Sequence, residues 1–198
     1  GANHWLSSVA EARSRASQGK FDAALEILTR MCSIEDDAKI NVHSGKPSRL
    51  RQNIDPTAIA LLGRIAADQN DDDAIALWRN LVDDSQTEFA DHWYTLARLA
   101  MYQQEMPERV AALLSEAVVR DPTDWVAFGL LENCMNQLGR SSAETEFRLR
   151  TIAIKRSILA SNSVAGGDFA AIERLAETLE TLARPLEANA WRMIGQFH

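Results

Sequence analysis

Asp68, Asn70 and Asp72 stand at the alternating oxygen-donor positions that open a calcium-binding loop. The loop then fails twice: Asp73 takes the sixth position, where glycine makes the sharp turn, and Arg79 the twelfth, where a bidentate glutamate closes the site. The run Asp71-Asp72-Asp73 before Ala74 suits a helix N-terminus better, because carboxylates there accept from free N–H groups and complement the dipole. Gly45-Lys46-Pro47-Ser48 lacks the earlier glycine and the strand of a phosphate loop, and Ser17-Gln18-Gly19-Lys20 has the S-x-x-K spacing without the companion motifs of acyl-transferring enzymes. Both read as turns. His4, His43, His92 and His198 never pair at i, i+3 or i+4, and no cysteine stands near one, so neither a metal site nor an activated nucleophile is expected. Cys32 and Cys134 read as buried small hydrophobes rather than as a disulfide. The expectation is no enzyme: no catalytic residue, no metal and no cofactor.

The interest therefore moves to the elements. Apolar residues make up 46% of the 198 positions, enough to bury a core, and Ala, Leu, Glu, Arg and Asp dominate while Val, Thr and Ile clusters are scarce. The net charge of −7 argues against a nucleic-acid partner, and no apolar run reaches the length of a bilayer span, so no membrane insertion is expected. The chain opens on Gly1-Ala2-Asn3-His4-Trp5 without methionine, which reads as a segment of a longer protein.

Apolar residues recur at i, i+3, i+4 and i+7 in one segment after another, the period of amphipathic helices. Trp5, Val9 and Ala12 mark a first helix, and Phe21, Ala24, Leu25, Leu28 and Met31 a second, with Gly19 between them. After an irregular stretch the pattern resumes at Ile59 and Leu62, again at Ala74, Leu77 and Trp78, and again at Trp93, Leu96 and Ala97. Pro107 precedes a helix carrying Val110 and Leu114, and Trp125 and Phe128 open another. Ser141 and Glu144 have capping-box spacing for a long helix through Ile158, Ser161 to Gly167 reads as a break, and two helices follow, the second behind Pro185. The total is about ten helices in five pairs.

The pairs repeat. Asp55-Pro56-Thr57 returns as Asp121-Pro122-Thr123, and the same offset carries Leu62-Gly63 onto Phe128-Gly129. Half of that offset, missed by one residue, brings in Trp93-x-x-Leu96-Ala97-x-x-Ala100, completed by Val110, Leu114, Ala117 and Pro122. Here the chain resembles the tetratricopeptide repeat, a helix-turn-helix unit of about 34 residues with a W-x2-L-G-x2-Y, A-x3-F, A, P pattern. Large residues such as Trp93 would fill gaps between hairpins, and Gly63, Ala97 and Gly129 would let paired helices approach closely. The glycine of the first inter-helix turn is replaced by Asn70 or missing in the two central units. The resemblance implies an all-α fold, a right-handed α-solenoid of about five antiparallel hairpins. A single repeat domain over 1–198 is expected, with a first hairpin over 1–33, an irregular connection over 34–54, the best-matching repeats over 55–137 and degenerate hairpins over 138–198.

In such repeats the first helix of each hairpin lines a concave groove that binds peptides. Carried over, the inward positions include Arg64, Ala67, Asp68, Tyr94, Arg98, Met101, Tyr102, Asn133 and Cys134. Among them Arg64, Tyr94, Arg98, Met101, Tyr102 and Asn133 are the expected ligand-binding residues. Arg64 and Arg98 fall on equivalent positions, and Tyr94, Arg98 and Tyr102 at i, i+4 and i+8 would offer a guanidinium between two aromatic faces to a carboxylate. The opposing reading is internal pairing, Arg64 with Asp68 one turn on. Thr95 and Leu130 stand where the family's chaperone-binding members carry polar amides, so chaperone C-termini are not the expected ligand.

Charge is unevenly placed. Asp68 to Asp91 holds eight acids against one base, Arg79, whereas Arg140 to Arg156 holds five bases against Glu144 and Glu146. Solvated turns and helix faces account for this, or else an end fitted to a basic partner. The functional expectation is a non-catalytic protein-interaction module for a peptide or partner protein. The alternatives are a spacer or oligomerisation segment self-associating through the C-terminal hairpin with Trp191, Met193 and Phe197, and a small-molecule-sensing accessory domain with a pocket under residues 34–53.

Overall fold

The computed structural model describes residues 2–33 and 54–196, apart from the side chains of residues 2–6. The expectations placed on 34–53, on Phe197 and His198, and on the side chains of His4 and Trp5 lie outside these residues. The described chain contains ten α-helices and no strand: α1 (Ala2–Ser17), α2 (Phe21–Ser33), α3 (Pro56–Gln69), α4 (Asp72–Leu81), α5 (Ala90–Tyr102), α6 (Pro107–Arg120), α7 (Trp125–Gln137), α8 (Ser141–Ala165), α9 (Ala171–Thr181) and α10 (Pro185–Gly195), with a 3-10 turn at Asp84–Glu88. It divides into two compact units, Gly1–Glu105 and Met106–His198, and the division falls inside the stretch that carries the clearest repeats.

The starts of the helices follow from local chemistry. Asp55 caps α3 by accepting from the Thr57 N–H, and Pro56 fills the first helical position, where no N–H is needed. Asp71 accepts from the Ala74 N–H at 3.0 Å, so this part of the aspartate run is a cap. In the second copy of the Asp-Pro-Thr motif Asp121 likewise accepts from the Thr123 N–H, but the helix begins later, at Trp125, with Asp124 as its cap. Ser141 does not cap α8: it lies inside the first turn, and Glu144 pairs with Arg148 one turn on. The helix also runs through Ser161 without breaking and stops only at Gly166.

Six turns close alike. In each, a residue with positive φ precedes an N–H that returns to a carbonyl five residues back: Lys20 to Arg15, Asp71 to Ala66, Glu105 to Ala100, Arg140 to Met135, Asp168 to Ser163 and Arg184 to Leu179, all at 2.9–3.0 Å. The positive-φ residues are Gly19, Asn70, Gln104, Gly139, Gly167 and Ala183, with φ between 53° and 95°. The turn glycine that the sequence lacks at two central positions is thus replaced in residue type but not in geometry.

In the first unit α3 is the central element, packed by α2, α4 and α5. Its buried face, Ile59, Leu62 and Ile65 among others, meets Leu28 and Met31 of α2 and Ile75 and Trp78 of α4. Gly63 is the close-approach residue that its position suggests: a Cβ there would stand 2.5 Å from the Trp78 indole nitrogen. In the second unit α6 packs on α7, α7 on α8, α8 on α9 and α9 on α10. Gly129 has no such neighbour within 4 Å, so close approach does not explain it. Trp191 of α10, expected at an exposed end, is half-buried and turned into the apolar contacts between α8 and α9, while Met193 is exposed.

Candidate functional site

Three helices of the first unit, α1, α3 and α5, share a continuous polar network, and the register of α5 explains it. Asp91, Tyr94, Arg98 and Tyr102 recur at i, i+3, i+7 and i+11 and so lie along one face of the helix. Arg64 and Asp68, one turn apart on α3, stand across from them.

Asp91 is the first node. Its side chain is 9% exposed, and each carboxylate oxygen takes a different arginine: Oδ2 accepts from Arg13 of α1 at 2.9 Å and Oδ1 from Arg64 at 3.0 Å. Two guanidiniums offset the cost of burying one carboxylate. Arg64 also lies over the ring of Tyr94, 4.1 Å from the centroid. Tyr94 is buried, 1% exposed, and donates its hydroxyl to Asp68 at 2.7 Å. Burial above all, then the charge and hydrogen bond of Asp68, raises the Tyr94 hydroxyl well above its ordinary pKa of 10.0, so it remains a donor.

Asp68 is the second node. Arg98 Nε approaches it at 3.3 Å, while the same guanidinium donates to the Tyr102 hydroxyl at 3.0 Å and lies 5.2 Å from that ring's centroid. Arg98 Nε is buried without a well-aligned acceptor. The Tyr102 hydroxyl in turn donates to the Ala67 carbonyl at 2.9 Å. From Arg13 to Ala67 the chain of contacts is unbroken, and it reaches solvent chiefly at Arg13 and Tyr102, the latter 45% exposed.

Five of the six expected binding residues, Arg64, Tyr94, Arg98, Met101 and Tyr102, lie on the adjacent helices α3 and α5. They are arranged differently from a guanidinium between two rings: each arginine has its own tyrosine, Arg64 with Tyr94 and Arg98 with Tyr102. Met101 is half-buried beside them in sequence. Asn133 is exposed on α7, in the second unit, and Cys134 next to it is buried, which raises its thiol pKa. Arg13 and Asp91 were not among the expected site residues. Asp91 counts in the sequence as one of eight clustered acids; its position one turn before Tyr94, on the same face, is the signal that separates it. The structure also spends much of that acidity internally: Asp68 and Asp91 enter the network, and Asp71 and Asp83 accept from backbone N–H groups as caps.

No three histidine, cysteine or carboxylate side chains among the described residues are grouped so as to hold a metal ion. No helix among them is long and apolar enough to cross a membrane.

No protein-family model matches the chain, and no curated protein is found as a relative. Among solved structures it is similar to TTC0263, a thermophilic tetratricopeptide-repeat protein of Thermus thermophilus, at 17% identity and a TM-score of 0.50, covering 98% of this chain and 100% of that one. It is also similar to MamA, at 16% identity and a TM-score of 0.44, covering 98% of this chain and 91% of that one. The likeness to the Thermus protein is one of fold: this chain has an all-α fold of helical hairpins like that of the tetratricopeptide-repeat protein.

Proposed function

We propose that the chain is a non-catalytic protein-interaction module that holds a partner's peptide against the face formed by α1, α3 and α5. The observation that carries this reading is the pair of arginine–tyrosine stacks, each fixed by an aspartate and together open to solvent at Tyr102 and Arg13. Arginine and aromatic side chains contribute most of the energy in protein interfaces. Here their rotamers are already held by neighbours, so a ligand would lose little by ordering them. Arg98, Met101 and Tyr102 are the proposed contacts, with Arg64, Tyr94, Asp68 and Asp91 holding them in place; Asn133 is a separate proposed contact on the second unit. Three arginines against two aspartates leave this face positive in an acidic chain, which favours an acidic segment or a C-terminal carboxylate.

The test is selection of peptides from a random display library on the wild-type protein, followed by binding to Arg98→Gln/Tyr102→Ala. Tyr94 is left intact because it is buried and its loss would perturb the fold. Peptides rich in Asp and Glu that bind the double variant at least about tenfold more weakly, with helicity and melting unchanged, support the proposal. Peptides that bind both forms equally, or no enrichment, overturn it.

A further inference from the structure

We propose that copies of this chain associate head to tail, the outer ridge of α8 from one copy seating in the groove between α2 and α4 of the next. The groove, about 600 Å³, belongs to the first unit and has an apolar floor of Leu25, Ala74 and Leu77. Its rim is acidic. Glu26 is neutralised by Arg30 at 2.6 Å, and Asp71 is committed to its cap, but Asp22 and Asp73 are exposed and have no ion-pair partner among the described residues.

The ridge carries the complement. Leu149, Ile152, Arg156 and Leu159 recur at i, i+3, i+7 and i+10 along one line of α8. Leu149 is 61% and Leu159 66% exposed, an unusual exposure for leucines in one row. Arg156 has no ion-pair partner among the described residues, and Lys155 beside it is held over the Trp125 ring, 4.1 Å from its centroid. Arg148, by contrast, is already paired with Glu132 and Glu144 and adds nothing. What remains is an apolar row that carries the unpaired Arg156 with the Lys155 cation beside it, and an apolar trough flanked by two unpaired carboxylates. Helices pack by setting the side-chain ridge of one into a groove of another, so shape and charge agree. Because ridge and groove are different surfaces, the contact is heterologous and extends into chains unless its rotation closes a ring.

Sedimentation equilibrium of the wild-type protein from about 5 to about 200 µM is the first measurement; mass should rise with concentration, and less so when salt goes from about 50 to about 500 mM. Two blocked forms follow, Lys155→Glu/Arg156→Glu on the ridge and Asp22→Lys/Asp73→Lys on the groove, each checked for unchanged helicity and melting. Each blocked form alone should be monomeric, and a mixture should reach a dimer and stop, since each retains one working surface. A wild-type mass that stays at one chain, or association indifferent to salt, overturns the proposal. So does association that persists in either blocked form, or a mixture that remains monomeric while the wild type associates.

Discussion

Replacing Gly63 by alanine tests the central contact of the first unit against a control that the chain itself provides. Gly63 on α3 and Gly129 on α7 occupy the same position of the repeat, and both lie inside helices. The gain from replacing a helical glycine with alanine is about 1 kcal/mol at either site. At Gly129 nothing lies within 4 Å of the added methyl, so that gain should appear undiminished. At Gly63 the methyl would stand 2.5–2.8 Å from three atoms of the Trp78 indole, whose residue is buried, 2% exposed. Overpacking of this kind costs about 1–3 kcal/mol. Since the propensity gain is common to both, the difference between the two variants reads the clash alone, and Gly63→Ala should be the less stable by about 1–3 kcal/mol. Urea denaturation followed by far-UV circular dichroism measures it. Equal shifts in the two variants would show that the indole yields freely and that the Gly63–Trp78 approach is not a constraint.

Three further outcomes are expected. Gln104→Gly and Ala183→Gly should each raise stability by about 1 kcal/mol, since both residues hold left-handed φ that costs a side chain energy; unchanged unfolding midpoints would refute this. Tyr94→Phe removes a hydrogen bond to a charged acceptor and should cost about 1.5–3 kcal/mol. Because folding raises the hydroxyl pKa, its contribution is complete below the ordinary value of 10.0 and is lost as pH rises beyond it, so the gap between wild type and variant in denaturant unfolding should narrow from pH 9 upward through that value. Burial pushes the Cys32 thiol from 9.0 up to about 11, so reaction with a thiol reagent at a pH of about 8 should proceed only as fast as the protein opens, and prompt labelling would contradict the burial.

The repeat rhythm was legible because it is written in large apolar residues at helical spacing, and these have one place to go. What the sequence concealed was local. Gln104 and Ala183 reveal nothing of their left-handed turns, because the turn is imposed by the hairpin and the residue merely tolerates it. Ser141 and Glu144 have the spacing of a capping box, yet Arg148 offers Glu144 a stronger, charged partner. For the candidate site, the tyrosines and arginines of α3 and α5 were readable from their register. Asp91 was hidden among acids that look equally solvated, since its partners Arg13 and Arg64 lie far off in sequence and only packing brings them to it.

The 25-residue helix α8 has a consequence for how such a chain can change. Arrays joined by turns can gain or lose a module by splicing at a joint, leaving the neighbours whole. Between α7 and the last hairpin such joints lie only at the two ends of α8, and none falls along its length. The first half of α8 carries Phe147 against Phe128 of α7, and its second half carries Ala160 and Val164 against α9. A deletion or insertion within it would turn one half about the helix axis by roughly 100° per residue and swing the attached partner off its seat. Length variation among relatives should therefore collect at the turns on either side of α8 rather than within it.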